Sequence, residues 1–227
     1  MSVPFVKALV PMKHHSERVQ AKNFRKIGGK PLFYWILESL SKSKYIDEII
    51  INTDSDLIAE DATKNFNVTI LKRPDFLLGD MVSMAPLTKY DLSKTDGDFY
   101  LQTHSTNPLL KTSTINKAIE TYFLLKQHDS LFTVTLLKTR FYWPDGRAIN
   151  HDPDNLIRTQ DLPPIYEENS CIYIFSREIF NSHGHRIGKN PYMMPIDRIE
   201  AIDIDNEEDF LMADFFLNLR QRQNKNG

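Results

Sequence analysis

Apolar residues recur along this chain in two rhythms. Continuous runs at Phe5–Val10, Glu48–Asn52, Val68–Leu71, Phe99–Gln102, Leu131–Leu137 and Ile172–Phe175 are rich in β-branched and aromatic residues. Such runs suit strands covered on both faces. Between the early ones, apolar residues return at helical spacing. Pro31 opens a first helix, where its missing N–H costs nothing. Leu32, Trp35, Ile36 and Leu40 form that helix's buried stripe. A second helix starts at Ser55-Asp56-Leu57-Ile58 and a third covers 112–127. The alternation predicts βαβ units, hence an α/β fold with a doubly wound, mostly parallel, Rossmann-like sheet.

The rhythm breaks after Lys138. Residues 139–170 carry Trp143-Pro144-Asp145-Gly146, Asn150-His151-Asp152-Pro153 and Pro163-Pro164, all turn signals. They predict an excursion from the sheet that serves as a substrate lid, a dimerisation arm or both. The chain then returns through Cys171–Phe175 and Ala201–Asp205 to a closing helix over 207–220. One domain spanning 1–227 accommodates the pattern, with 139–190 as an arm or subdomain.

Composition narrows the partners. The 227 residues are 41% hydrophobic and 26% charged, with a net charge of −2. That charge gives no electrostatic case for nucleic acid or an anionic membrane. No apolar run approaches the roughly 20 residues that span a bilayer. The N-terminal segment lacks a signal peptide's apolar core and cleavage pattern, so a cytoplasmic location is expected. Cys171 is the lone cysteine and lies in an apolar run, which favours a buried structural thiol.

Four segments could carry chemistry. Val10–Asn23 leaves the first strand and gathers Lys13, Ser16, Arg18, Lys22 and Asn23. Cations and loop N–H groups of this kind hold phosphates by charge-assisted hydrogen bonds. A solvated basic loop accounts for them equally well. In Ala201-Ile202-Asp203-Ile204-Asp205, a strand would place both carboxylates on one face, where they could hold a hard divalent cation. The bland reading is a strand end that caps the next helix. Gln102–Pro108 offers His104, Thr106 and Asn107 for ribose and base, or is simply a strand-to-helix loop. Arg73, with Asp80 and Ser83 beyond it, could reach a base or phosphate, though an arginine before a proline is ordinarily a surface residue. His183-Gly184-His185 lacks a third ligand and reads as a surface loop.

Taken in order, these segments resemble the acylneuraminate cytidylyltransferase family, the CMP-sialic acid synthetases. That family opens IPARxGSKRxxxKN and then GKPL; here the text is VPMKHHSERVQAKN and then GGKPL. Further matches are Ile51–Ala62, Lys72–Pro74, Thr106–Lys111, Arg158–Phe175 and Ile202–Phe210. The resemblance implies transfer of CMP from CTP to the anomeric hydroxyl of a 2-keto-3-deoxy sugar acid, releasing pyrophosphate. It implies a homodimer built through the arm. Arg18 and Lys22 match basic positions for the triphosphate; Ser16 and Asn23 match the loop serine and the KN asparagine. Arg73 and Ser83 match nucleotide-contacting positions, Asp203 and Asp205 the carboxylates linked to Mg²⁺, and Asn169 an asparagine beside the sugar pocket.

Several positions depart from the pattern. Lys13 replaces an arginine, His14-His15 a glycine pair, and Glu17 a lysine. Glycines let a backbone approach phosphates closely, so the histidines change that cradle. QPTSP becomes HSTNP, with His104 in the glutamine's place; NGA becomes Asn169-Ser170-Cys171, and a preceding arginine becomes Glu167. CTP use is expected to survive, with a sugar other than plain N-acetylneuraminate. Lys13, Arg18 and Lys22 would neutralise the triphosphate, while Tyr142, Trp143, Arg158, Gln160, Tyr166 and Asn169 would meet the sugar. Arg158 would hold its carboxylate, or serve a subunit interface. A Kdo-like or other acceptor, UTP in place of CTP, and a non-catalytic nucleotide-binding protein remain as alternatives; QTHSTNP lacks the Kdo branch's QGDEP.

Overall fold

The computed structural model describes residues 3–14, 19–79 and 81–225. Among them, seven strands form one sheet in the order β5-β4-β1-β6-β8-β7-β9. These are β1 (Val6–Met12), β4 (Ile46–Thr53), β5 (Thr69–Lys72), β6 (Phe99–Gln102), β7 (Ser130–Leu137), β8 (Ile165–Ser176) and β9 (Pro191–Pro195). Strands β2 (Lys26–Ile27) and β3 (Lys30–Pro31) make a separate small hairpin. Every neighbouring pair in the large sheet is parallel except those involving β8, which runs against β6 and β7.

Helices cover both faces, as the continuous apolar runs require. The even-numbered β1 residues Val6, Ala8, Val10 and Met12 are buried with Phe33, Ile36, Leu37 and Leu40 of α1 (Leu32–Ser41). Ile58 and Ala62 of α2 (Asp56–Asn65) and Ile115, Ala118 and Ile119 of α4 (Thr112–Leu124) complete that core. On the other face Leu9, Ile50, Tyr100, Tyr173 and Phe175 pack with Leu92 of α3 (Met84–Ser93) and Phe180 of α5 (Arg177–His183). The strand order reverses between β1 and β6, and in open α/β sheets ligands bind in the crevice outside such a switch point.

Two elements escape the sequence patterns for physical reasons. Helix α3 buries Leu87, Thr88, Asp91 and Leu92, so two polar residues interrupt its apolar stripe. Its Pro86 sits in the first turn, where N–H groups have no intrahelical partner. Strand β9 is bounded by Pro191 and Pro195, which only an edge strand accommodates, and it lies at the sheet's edge. Within the stretch expected to be an excursion, β8 already begins at Ile165, paired with Leu137. Residues 139–164 are irregular apart from one bridge, Tyr142 to Ala148, and a short 3-10 turn over Thr159–Asp161. The closing helix α6 continues through Glu207–Lys225.

The acidic segment needs a correction. Residues 202–205 have no regular secondary structure and are not hydrogen-bonded into the sheet as a strand. A different device holds them. Ile204 is fully buried with Val19, Ile27, Leu32, Leu109, Phe210, Ala213 and Leu217. Its N–H donates to the carbonyl of Thr106 at 2.9 Å. The β2–β3 hairpin seals this cluster against α6. Gly28 N–H donates to Asp214 Oδ1 at 2.7 Å, and Gln221 Nε2 donates to the Gly28 carbonyl. Gly28 has φ 55°, and a Cβ there would meet the Trp35 ring at 2.7 Å and Leu217 at 3.1 Å. That close approach explains the GGK text.

Upstream, buried Glu200 accepts from the Lys111 N–H at 3.0 Å, Lys111 Nζ at 2.7 Å and the Thr114 hydroxyl at 2.7 Å. It fixes the chain two residues before Ile202. Glu200→Ala leaves these donors to water or unpaired, and is expected to cost about 2 kcal/mol. At roughly 2–4 °C per kcal/mol for a chain of this size, the melting temperature should fall by about 4–8 °C. An unchanged melt would show that the clamp contributes nothing net.

Candidate active site

The carboxyl ends of β1, β4 and β6 converge at the switch point. After β1, Lys13 Nζ donates to the Gly79 carbonyl at 3.2 Å. Asn23, in the 3-10 turn Lys22–Phe24, donates to the Lys13 carbonyl at 3.1 Å and accepts from the Ser105 hydroxyl at 2.8 Å. Thus the KN asparagine buckles the first loop to the loop after β6. Lys22 Nζ donates to the Ile204 carbonyl at 2.6 Å, tying the same turn to the acidic segment. Ser16 and Arg18 lie outside the described residues, as do His15, Glu17 and Asp80.

His14 is committed to the sheet side. Its N–H donates to Asp54 Oδ1 at 2.7 Å, and its Nδ1 lies 2.7 Å from the hydroxyl of Ser55, the residue that caps α2. A backbone donor that a glycine in this place could offer to phosphate is used here within the protein.

Past β6 lies a group of polar atoms that the fold does not satisfy. Thr103 Oγ1, Asn107 Nδ2, Asn107 Oδ1 and Asp203 Oδ1 are buried without a hydrogen-bond partner. A buried polar group left this way costs free energy unless a ligand or ion completes it. Burial pushes the Asp203 carboxyl's pKa up, with Asp205 and Asp209 adding to the rise and the Thr106 hydroxyl and Lys22 opposing it. Clustered carboxylates beside an unpartnered oxygen fit a divalent cation held by one or two carboxylates and by substrate phosphates. Among the described residues, no set of three His, Cys, Asp or Glu side chains forms a self-sufficient metal cage. His104 is half-buried, and its pKa is lowered to about 4 by burial and the charges of Arg186 and Lys22. It is therefore a neutral imidazole near pH 7.

Arg73 lies inside the protein, 4% exposed, instead of on the surface. Its Nε donates to Asn52 Oδ1 at 2.8 Å; its Nη2 donates to the carbonyls of Met12 and Asn52 at 3.1 and 3.0 Å. It locks the end of β1 onto β4. Asn52 in turn donates to Asp91 Oδ1 at 2.5 Å. Ser83 stands exposed at the start of α3 and makes no capping bond to that helix.

The residues expected to meet the sugar lie on the arm and on β8. Tyr142 is half-exposed, with its hydroxyl 2.9 Å from His151 Nε2. Arg158 pairs with Asp161 at 2.7 Å and its side chain is 74% exposed. Gln160 is exposed and accepts from Lys138 through its carbonyl. Tyr166 lies on β8 opposite Leu136. Asn169 is buried in a β-bulge where Ser170 takes φ 57°. Its amide accepts from Thr133 at 2.7 Å and donates to Thr135 at 3.2 Å, so it braces β8 on β7. Cys171 is buried and its thiol pKa is raised by burial. His183 closes α5, which ends at Gly184 with φ 68°.

Sequence reasoning missed Asn52, Asp91, Ser105, Glu200 and Arg186. An asparagine in a strand and a carboxylate on a buried helix face carry no motif, because their partners are distant in sequence. The one available signal was Asp91 itself, a charge on the face otherwise marked by Leu87 and Leu92.

Burial raises the Asp91 carboxyl to about 7, against the Asn52 bond and the Arg73 charge. Between 3.8 and about 7 the folded chain therefore holds a proton that the unfolded chain has released. Stability from this group is full below pH 3.8 and is lost as pH rises through about 7. Asp91→Asn keeps an oxygen for Asn52 and removes the loss. Its melting temperature should exceed wild type near pH 8, with the difference shrinking toward pH 4. Thermal melts across that range would show a pH-independent difference if Asp91 were ionised throughout.

Residues 7–221 match the family model described as Cytidylyltransferase. The chain is 29% identical over 221 residues to post-translational flagellin modification protein B of Campylobacter coli, covering 92% of this chain and 94% of that protein. It is 27% identical over 215 residues to the CMP-N,N′-diacetyllegionaminic acid synthase of Campylobacter jejuni, covering 90% and 92%. An N-acylneuraminate cytidylyltransferase of Streptococcus agalactiae is 23% identical over 96% of this chain, which spans 55% of that longer protein. In fold, the chain is similar to CMP:2-keto-3-deoxy-manno-octonic acid synthetase complexed with CTP, with a TM-score of 0.70 at 12% identity over 95% of this chain and 99% of that one. It is also similar to 4-diphosphocytidyl-2C-methyl-D-erythritol synthase of Anaerococcus prevotii, with a TM-score of 0.67 at 16% identity over 94% and 96%. With a switch-point crevice lined by these cations and carboxylates, and a match over nearly its whole length, the chain belongs to the cytidylyltransferase family.

Proposed function

We propose that this protein transfers CMP from CTP to the anomeric hydroxyl of a 2-keto-3-deoxy sugar acid of the sialic-acid type, releasing pyrophosphate. The observation that carries the reading is the unpartnered Asp203 Oδ1 beside Asp205, in a segment that Lys22 ties to the loop after β1. Relatives named for CMP-legionaminic acid and N-acylneuraminate support the acceptor class.

The chemistry is in-line attack of the sugar's anomeric oxygen on the α-phosphorus, with pyrophosphate leaving. Such transfer depends on positioning and on stabilising charge. Lys13 and Lys22, with Arg18 from the first loop, would neutralise the triphosphate. Asn23 and Ser105 keep the two loops at a fixed separation. Arg73 holds the end of β1 in place; its donors face inward, so its part is to position the nucleotide site. Neutral His104, with Thr106 and Asn107, offers hydrogen bonds to ribose or base without adding charge. Asp203 and Asp205 would hold Mg²⁺, which when bound supplies charge neutralisation and lowers the pKa of a coordinated hydroxyl.

The arm is proposed to build a homodimer and to approach the sugar with Tyr142, Arg158, Gln160, Tyr166 and Asn169. Trp143, Leu156 and Ile157, all well exposed, give it an apolar surface for a partner subunit. Among the described residues, no helix is long and apolar enough to cross a membrane. We place the reaction in the cytoplasm, where CTP is made.

Pyrophosphate release from CTP or UTP, with and without Mg²⁺, tests the reading. The acceptor panel is N-acetylneuraminate, N,N′-diacetyllegionaminate and Kdo. Release is expected with CTP, with Mg²⁺ and with a nonulosonic acid. A preference for UTP, or no acceptor-dependent release from any pair, would overturn it. Asp205→Asn should lower turnover by about 100-fold or more, as removal of a transition-state charge contact does. Its melting temperature should stay near wild type; near-normal turnover would remove Asp205 from the site.

A further inference from the structure

A second cavity adjoins the switch-point crevice. It measures about 280 Å³ and is lined by Ser83, Met84, Ala85, Thr88, Phe180, His185 and Arg186. Its apolar wall comes from the first turn of α3 and from α5, and Arg186 brings a guanidinium to it. The Arg186 guanidinium lies over the Tyr173 ring, 3.5 Å from the centroid. That stacking fixes the plane of the fork and leaves its edge to find acceptors. Nε and Nη1 are buried and have none. The nearby carboxylate, Glu168, is engaged by the Tyr173 hydroxyl. Burial lowers the Arg186 pKa, and Tyr173 and Glu168 oppose that. An arginine remains charged in any protein setting, so Nε and Nη1 are charged donors left without an acceptor even with Glu168 and Tyr173 nearby.

We propose that Arg186 receives the carboxylate of the acceptor sugar acid. The proposal rests on the CMP-transfer reading for the identity of the acceptor and goes beyond it in naming the residue that recognises it. Three observations favour this group over others. The guanidinium fork fits two oxygens of a planar carboxylate. Thr88 and Met84, which line the cavity, bond to Gln102 at the end of β6 at 3.3 and 3.5 Å, so the cavity lies beside the switch-point crevice and not remote from it. In a 2-keto acid the carboxylate is bonded to the anomeric carbon, so its holder must stand close to the reacting phosphate. Ser83, whose hydroxyl makes no bond to its own helix, and His185 line the same space and suit ring hydroxyls. By contrast Arg158, the arginine that the sequence singles out for this task, is largely exposed and already paired with Asp161.

The test is direct binding, separate from turnover. The full chain is titrated calorimetrically with N-acetylneuraminate, N,N′-diacetyllegionaminate and Kdo, with CDP present and no divalent cation. The methyl ester of each acid that binds is then titrated. The ester should bind wild type roughly 10- to 100-fold more weakly than the acid, the range for losing a hydrogen-bonded charge contact. Arg186→Gln should lose a similar factor for the acid, bind acid and ester alike, and keep its affinity for CDP within about twofold of wild type, since the residues proposed to meet the nucleotide are unchanged. Arg186→Lys, which keeps the charge without the fork, should fall between and guards against a folding defect in the first variant. Acid affinity unchanged in both variants, equal binding of acid and ester by wild type, a loss confined to CDP, or no acid bound by wild type would each overturn the proposal. Binding without pyrophosphate release would leave Arg186 in its role and overturn the CMP-transfer reading, so the two fail separately.

Discussion

The site depends on how one irregular segment is pinned. Residues 202–205 belong to no strand or helix, yet they carry Asp203 and Asp205. Ile204 holds them: its side chain is buried under α6, its N–H bonds to Thr106, and its carbonyl accepts from Lys22. Lys22 and Ile204 are 182 positions apart. A single buried isoleucine thus joins the loop after β1, the loop after β6 and the approach to α6. Apolar burial supplies the anchor, and two hydrogen bonds to its backbone set the direction in which Asp203 and Asp205 leave it.

Around this anchor, polar groups divide into two kinds. Those that shape the framework are satisfied. Arg73 gives donors to Asn52 and Met12, Asn52 gives one to Asp91, Glu200 accepts three, and Asn169 bridges Thr133 and Thr135. Those that border the crevice are not: Thr103, Asn107, Asp203 and Arg186 keep buried atoms without partners. An unmade buried hydrogen bond is expensive, and a fold tolerates it where a ligand completes it. Arg140 and His151, in the arm, also keep a buried nitrogen without a partner, so among the described residues the unmade bonds fall at the crevice and in the arm and not in the framework of the sheet.

The family pattern is also redistributed. Where a glycine pair would leave backbone donors open, His14 directs its N–H to Asp54 and its ring to Ser55. These bonds tie the start of the first loop to the residue that caps α2. Arg186, stacked on Tyr173, brings a cation into a wall otherwise made by Met84, Ala85 and Phe180.

Local pattern was enough for much of this protein. Continuous apolar runs locate six strands of the sheet, helical spacing locates α1, α2 and α4, and the ordered motifs point to cytidylyl transfer. These features are read within a few residues, by burial period and turn chemistry. The pattern fails where a residue's role comes from a distant partner. Thr88 and Asp91 hide α3 because their polarity is satisfied across the fold, and prolines hide β9 because only its edge position makes them harmless. Asp203 and Asp205 look like a strand pair in sequence, but a loop pinned by Ile204 presents them. Arg158 and Arg186 are indistinguishable as letters. Only tertiary packing, which pairs one with Asp161 in solvent and buries the other over Tyr173 without an acceptor, decides which is left to bind an anion.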